Sequence, residues 1–421
     1  MKESRYNYII TDEDKIIVFN GISEKFFEIK TSHWPFYKEI FANPDAYYDG
    51  YRKFMDCMLE DGFLIDHEDE SPLIERKLQT LRRPEEYSLM ILPTYQCNLR
   101  CWYCVQKHEN LWMTRETVEK IKLHISNVLG DPNIKVLRLS WFGGEPTLSY
   151  DIMVEITSHA QEMASLAGKM FICDITTNGT LLNPDRIEEL YRLGVSSYQI
   201  TIDGKKEYHD TVKHLANESS FEKTMSNIAC IARHTYCTVR FNYTNANLDP
   251  EPIIDDLCNS LDKDSRKKVG FLIYKVWQED EKSIDKGKLR SLFEKSNQEC
   301  LHPRLARTGM CYADQQHFTC IFPNGTVGKC DNENPMHSDG VLNRDGTIDW
   351  LRLDENPVVE STVSECNSCR YLPICWGPCY SKRKSMLSKE GRIRCPYPNK
   401  DDYMKGIIKN IVTNIKVSKD E

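Results

Sequence analysis

TYQCNLRCWYCVQ, residues 94–106, carries three cysteines, Cys97, Cys101 and Cys104, spaced C-x3-C-x2-C. Three thiolates on so short a loop suit three irons of a cubane iron–sulfur cluster, because Cys thiolate is the usual ligand of such clusters. The fourth iron then has no protein ligand. An open metal corner is a place for chemistry, by the logic that separates catalytic from structural zinc sites. The plain alternatives are unrelated buried thiols or legs of a zinc site. Zinc usually takes a second, distant pair of ligands. The loop follows an apolar run, Leu89 to Leu92, that reads as the end of a buried strand, and the aromatic Tyr103 precedes the third cysteine.

C-x3-C-x-aromatic-C after a strand resembles the motif of the radical S-adenosylmethionine (SAM) enzymes. The resemblance implies that SAM chelates the open iron. It also implies that the reduced cluster cleaves SAM to a 5′-deoxyadenosyl radical, which abstracts a hydrogen atom from substrate.

The remaining composition fits a multidomain cytoplasmic enzyme. The chain has 421 residues, 40% of them hydrophobic and 28% charged, enough for two or three packed domains. A net charge of −8 argues against a nucleic-acid partner, whose footprint would be basic. No apolar run reaches the roughly 18 residues of a membrane span, so no membrane partner is expected. The start, MKESRYNYIITDEDK, lacks a secretory layout. Seventeen cysteines in a cytoplasmic chain point to metal or catalysis before disulfides. Three lie at 97–104 and eight at 311–395; most of the scattered remainder read as buried thiols.

Residues 1–85 read as a small domain of their own. Tyr6–Ile10 and Lys15–Phe19 flank an acidic turn as a hairpin, and the strand-like FFEI follows Asn20-Gly21. Trp34–Phe41 and Tyr51–Glu60 have helical spacing, and FLIDHEDE reads as a wing strand with an acidic turn. This order resembles the winged-helix-like recognition domain of many ribosomal-peptide maturases, which implies a leader peptide bound as an added strand. The plain alternative is a cap with no binding role. Residues 71–86 read as a helical linker.

From residue 88 to 299, six strand-like runs alternate with helical stretches. The runs are Leu89–Thr94, Val136–Trp141, Met170–Thr176, Tyr198–Ile202, Thr238–Tyr243 and Val269–Val276. Such alternation implies parallel strands with right-handed crossovers and function at their carboxyl ends. The fold class expected is α/β: a partial (β/α)6 radical SAM barrel behind a winged-helix-like domain and ahead of a cysteine-rich extension.

The strand ends carry further motifs. Gly143-Gly144-Glu145-Pro146 follows the second run; paired glycines admit close approach to the backbone. It resembles the family's GGEP element, which implies a hold on the SAM amino group. Thr176-Thr177-Asn178-Gly179-Thr180 resembles the TNGT turn, with Asn178 as a SAM contact; a plain Asn-Gly turn is the alternative. Thr201-Ile202-Asp203-Gly204 resembles S-x-D-G, with Thr201 in the Ser position and Asp203 alongside. Lys213 stands where relatives often carry Arg, and Lys lacks the bidentate fork. His209 reads as a helix-face histidine. Arg240, ending the fifth run, faces the same cavity or is structural.

Residues 300–396 carry the second strong pattern: Cys311-x13-Gly325-x4-Cys330, then Cys366-x2-Cys369-x5-Cys375-x3-Cys379, then Cys395. It resembles the SPASM extension of radical SAM enzymes; zinc is the alternative. The resemblance implies two auxiliary clusters and so three [4Fe–4S] clusters in all. One would use Cys311, Cys330 and Cys379, with Cys320 or Cys300 as a fourth ligand or an open iron. The other would use Cys366, Cys369, Cys375 and Cys395. Asp331, next to Cys330, stands where relatives that oxidise a peptide side chain keep a general base. Residues 397–421 read as a helical tail.

Together these motifs predict a radical SAM peptide maturase that acts on a leader-bearing precursor peptide. It would form a thioether or carbon–carbon cross-link, with electrons from a partner such as flavodoxin or ferredoxin. The rivals are an anaerobic sulfatase maturase and a non-catalytic peptide-binding scaffold.

Overall fold

The structure is a computed structural model. It describes the chain except residues 13, 280–283, 300, 302, 306–308, 334, 352–363, 398, 420 and 421. Cys300 therefore lies outside the described residues. Two compact units emerge. One is Met1–Arg83, Arg307–Gln315 and Glu355–Lys416; the other is Pro84–Ala306, Gln316–Asp354 and Val417–Glu421.

The second unit is built on an 11-stranded sheet. Six parallel strands run in sequence order: β1 (Glu86–Ile91), β2 (Val136–Trp141), β3 (Met170–Thr177), β4 (Val195–Ile202), β5 (Tyr236–Tyr243) and β6 (Val269–Lys275). These correspond to the six runs expected from the sequence, except that β1 starts and ends three residues earlier than Leu89–Thr94 and β4 starts at Val195 rather than Tyr198; each is followed by a helix or helices. Helices start where side chains satisfy free N–H groups: Thr114, Asn183 and Ser219 each accept from the backbone three residues on. Burial alternates along the strands. Leu137, Leu139, Trp141, Ile200, Ile202, Val239 and Phe241 join the helices in one apolar cluster. Arg138, Ser140, Gln199, Thr201 and Arg240 point to the opposite, polar face.

The sheet is wider than six strands. β7 (Pro303–Leu305) pairs parallel with β6. β8 (His317–Ile321) pairs parallel with β1 and carries Cys320 opposite Met90. A meander of β9 (Thr326–Gly328), β10 (Gly340–Leu342) and β11 (Ile348–Trp350) continues antiparallel from it. The sequence showed FTCIFPNG as strand-like. It held no sign that this strand would extend the barrel sheet, because the pairing joins segments more than two hundred residues apart.

The first unit holds a three-stranded antiparallel sheet of Asn7–Asp12, Lys15–Asn20 and Phe26–Lys30. Ile16 and Val18 bury one face against the helices Trp34–Ala42 and Arg52–Glu60. Tyr8, Ile10, Ile17 and Phe19 bury the other against Tyr371, Ile374 and the helix Lys400–Lys419. That helix supplies Met404, Ile407, Ile408, Ile411 and Val412, an apolar stripe at helical spacing. The front strands and the tail thus share one core. Among the described residues no helix is long and apolar enough to cross a membrane.

Candidate active site

The cysteine loop leaves β1 and closes on itself. Thr94 pairs with Trp112, Tyr95 N–H donates to Leu111 O, and Gln96 Nε2 donates to His108 O at 2.7 Å. Within it, Cys104 N–H donates to Cys101 O at 3.0 Å. Cys97 and Cys101 are half-buried and Cys104 is exposed.

The Gly143-Gly144 pair is required by this loop. Gly144 N–H donates to Thr94 O and Glu145 N–H to Gln96 O, at 3.1 and 2.8 Å. A Cβ on Gly144 would lie 2.2 Å from Gln96 O, and one on Gly143 2.6 Å from Thr94 O. The group that approaches the glycines is the cysteine loop's own backbone.

Glu145 is fully buried. Its carboxylate accepts from Thr147 N–H, Thr177 Oγ1 at 2.7 Å and Asn178 N–H at 2.8 Å. Burial raises its pKa against the pull of these donors. Pro146 opens a short 3-10 turn that Glu145 caps. Asn178 donates from Nδ2 to Asn98 Oδ1 at 2.9 Å and lies 3.7 Å from Cys97 Sγ. Leu99 N–H adds a second donor to that sulfur at 3.4 Å. Burial pushes the Cys97 thiol up to about 11. Three thiols on one closed loop, with N–H groups turned to sulfur, fit a cubane cluster's needs.

Beyond β4, Asp203 and Lys213 form an ion pair whose side chains are 1% and 3% exposed. Tyr103 joins them: its hydroxyl donates to Asp203 Oδ1 at 2.7 Å and accepts from Lys213 Nζ at 2.6 Å. Burial works against the ammonium, but the Asp203 carboxylate prevails and pushes its pKa up. The aromatic of the cysteine motif is thereby locked. His209 lies on the helix Lys206–Val212 and is buried; its Nδ1 accepts from Asp203 N–H at 3.2 Å, and its Nε2 has no hydrogen-bond partner among the described residues. Thr201 stands beside Arg240 in the β4–β5 register. Arg240 donates to Asn242 Oδ1 at 2.9 Å and stacks 3.8 Å from the Tyr274 ring centre.

The segment after β9 reaches the same loop. Asp331 O accepts from Gln106 Nε2 at 3.3 Å, and Glu333 O accepts from Tyr95 OH at 3.3 Å. Cys330 is buried, with its thiol 3.9 Å from Asp331 Oδ1. Cys320 is fully enclosed within β8, and burial pushes its thiol well up.

In the first unit, Cys369 N–H donates to Cys366 O at 3.0 Å in a tight turn. Burial pushes the Cys375 thiol up to about 12, and the nearby thiols of Cys366, Cys369 and Cys395 add to this. The SPASM resemblance implies these four as one ligand set. Cys311 and Cys379 also lie in this unit. Among the described residues no three His, Cys, Asp or Glu side chains converge on the position of a single ion. All sixteen described cysteines are free, and of the scattered ones Cys57 is exposed.

The Radical SAM superfamily model matches residues 91–251, the stretch from the cysteine loop to the helix after β5. A putative glycyl-radical enzyme activating enzyme of Methanocaldococcus jannaschii is 30% identical over 187 residues, 42% of this chain and 70% of that protein. The chain belongs to the radical SAM superfamily.

Membership implies SAM and one [4Fe–4S] cluster. GTP 3′,8-cyclase of Clostridium perfringens is 32% identical over 143 residues, 33% of this chain and 41% of that protein. GTP 3′,8-cyclase 1 of Mycobacterium tuberculosis is 24% identical over 174 residues, 41% of this chain and 47% of that protein. The match thus spans less than half the length of these cyclases. Two solved structures share the fold of this radical SAM protein at 16% identity. Native anSMEcpe with bound AdoMet and Kp18Cys peptide has a TM-score of 0.56 and covers 80% of this chain and 100% of its own. Streptococcus suis SuiB bound to S-adenosylmethionine has a TM-score of 0.52 and covers 95% of this chain and 100% of its own.

Proposed function

We propose that this radical SAM protein is a peptide maturase that oxidises a ribosomally made precursor to form an intrapeptide cross-link. The observation that carries the reading is the Gln106–Asp331 hydrogen bond. It sets the carboxylate-bearing segment beside the loop that would hold the SAM cluster. Bound SAM and its cluster supply hydrogen-atom abstraction from the peptide. Asp331 takes the proton that leaves as the substrate radical is oxidised. Asn178 and Leu99 hold Cys97 as a ligand, while Glu145 braces the ends of β2 and β3 beneath the loop. Thr201 and Arg240 lie side by side on the polar face of the sheet, and Asp203 holds Tyr103 of the cysteine motif in place.

Eight further cysteines between 311 and 395 support auxiliary clusters that accept the substrate's electron, with flavodoxin or ferredoxin as the external reductant. Cys366, Cys369, Cys375 and Cys395 form one ligand set. Cys320, enclosed in β8, is the weaker choice for a fourth ligand beside Cys330. The strand Phe26–Lys30 has no second partner strand among the described residues. It offers the edge on which a leader peptide adds as a strand.

A second reading, formylglycine formation on a sulfatase, uses the same Asp331. Deleting residues 1–85 would remove core shared with the tail helix, so the leader edge is better tested by Phe27→Pro on the edge strand. Loss of peptide turnover with SAM cleavage intact supports the maturase. Unchanged turnover of a candidate precursor, with turnover of a sulfatase peptide, favours the second reading.

A further inference from the structure

We propose that the buried ion pair Asp314–Arg383 is the positioning device of an auxiliary cluster ligated by Cys311 and Cys379. The proposal rests on the auxiliary-cluster reading above and names two residues that none of the cysteine motifs contains.

Each of the two cysteines sits at the N-cap of its own helical turn. Cys311 precedes the 3-10 turn Tyr312–Asp314, and Asp314 N–H closes it by donating to Cys311 O at 2.9 Å. Cys379 precedes the helix Tyr380–Glu390, and Arg383 N–H donates to Cys379 O at 3.0 Å. The residue that closes each turn is also the one that crosses to the other. Arg383 Nη1 donates to Asp314 Oδ2 at 3.1 Å, and Nη2 donates to Oδ1. The two side chains are 6% and 2% exposed. Arg383 Nη1 further donates to Pro378 O at 2.7 Å, which fixes the residue before Cys379.

A buried pair of this kind is a poor way to gain stability, because desolvation offsets the attraction; its attested use is to fix a register. The planar fork of arginine on a carboxylate sets separation and orientation together. What it registers here is the two cysteine-bearing turns. The Cys311 sulfur accordingly lies within reach of the backbone N–H of Ala313 and of Tyr380, the residue after Cys379. Backbone N–H groups turned to sulfur are among the features that set a cluster's potential.

The test compares the full-length wild type with Cys311→Ala, Asp314→Asn and Arg383→Lys after anoxic reconstitution. Iron and sulfide are counted, EPR spectra of the reduced proteins are recorded, and circular dichroism reports folding. Cys311→Ala and Asp314→Asn are expected to lose one auxiliary signal and about a third of the iron. Arg383→Lys, which keeps the charge but not the fork, is expected to retain iron with a shifted auxiliary signal. The SAM-responsive signal should persist in all three. If Cys311→Ala loses the cluster while Asp314→Asn and Arg383→Lys match wild type, the positioning role is overturned. If Cys311→Ala itself keeps every iron, the auxiliary-cluster reading fails and this proposal falls with it. Should Asp314→Asn not fold, Arg383→Lys decides alone.

Discussion

Gln106 donates a hydrogen bond from its side-chain amide to the backbone carbonyl of Asp331 at 3.3 Å, across 225 residues of sequence. It joins the cysteine loop to the carboxylate segment without using the carboxylate itself. Asp331→Asn should therefore leave the loop in place. The expected outcome is SAM cleavage near wild-type rate, with product formation on peptide reduced about 10²- to 10⁴-fold, the usual worth of a positioned acid or base. Equal loss of deoxyadenosine and of product would assign Asp331 a structural role.

Gly144 meets Gln96 O so closely that a methyl group has no room. Gly144→Ala should displace the cysteine loop at a cost of about 1–3 kcal/mol, typical of overpacking. Iron bound at the SAM site should fall together with the melting temperature. Retention of full iron and an unchanged melt would contradict the role assigned to the glycine pair.

The fold was legible in the sequence wherever local pattern decides it. All six barrel strands and the helices after them follow from apolar runs that alternate with stretches of helical spacing, and the cysteine motif from its spacing. What stayed hidden depends on distant pairing. The alignment of β8 with β1, which encloses Cys320 opposite Met90, joins segments more than two hundred residues apart. The apolar stripe of Lys400–Lys419 was visible as a helix, but its partner, the sheet face of Tyr8 and Phe19, lies at the other end of the chain. Lys213 was visible as a substitute for arginine, while its engagement by Asp203 and Tyr103 needed the fold.

Lys213 and Asp203 are both buried and depend on each other. Lys213→Met leaves a carboxylate without its cation, which costs about 3–5 kcal/mol. Adding Asp203→Asn should recover part of the loss, because the stranded charge is then removed. Denaturant unfolding of the single and double variants measures this; strict additivity would contradict the pairing.

Burial, reinforced by Lys213, lowers the pKa of His209 to about 4, against about 6.5 in an unfolded chain. Between these values the unfolded chain binds a proton that the folded one refuses. Stability from this group is complete above about pH 6.5 and is lost as pH falls to about 4, on the order of 3 kcal/mol in all. His209→Gln should flatten that part of the urea-midpoint profile. An unchanged acid slope in the variant would place the proton uptake elsewhere.

The central claim is that Cys97, Cys101 and Cys104 hold a cluster whose open iron takes SAM. EPR of the anoxically reduced protein, recorded with and without SAM, tests it most directly. The account predicts a reduced-cluster signal that changes shape when SAM is added and is absent from Cys101→Ala. A signal indifferent to SAM, or one that survives Cys101→Ala unaltered, would contradict it.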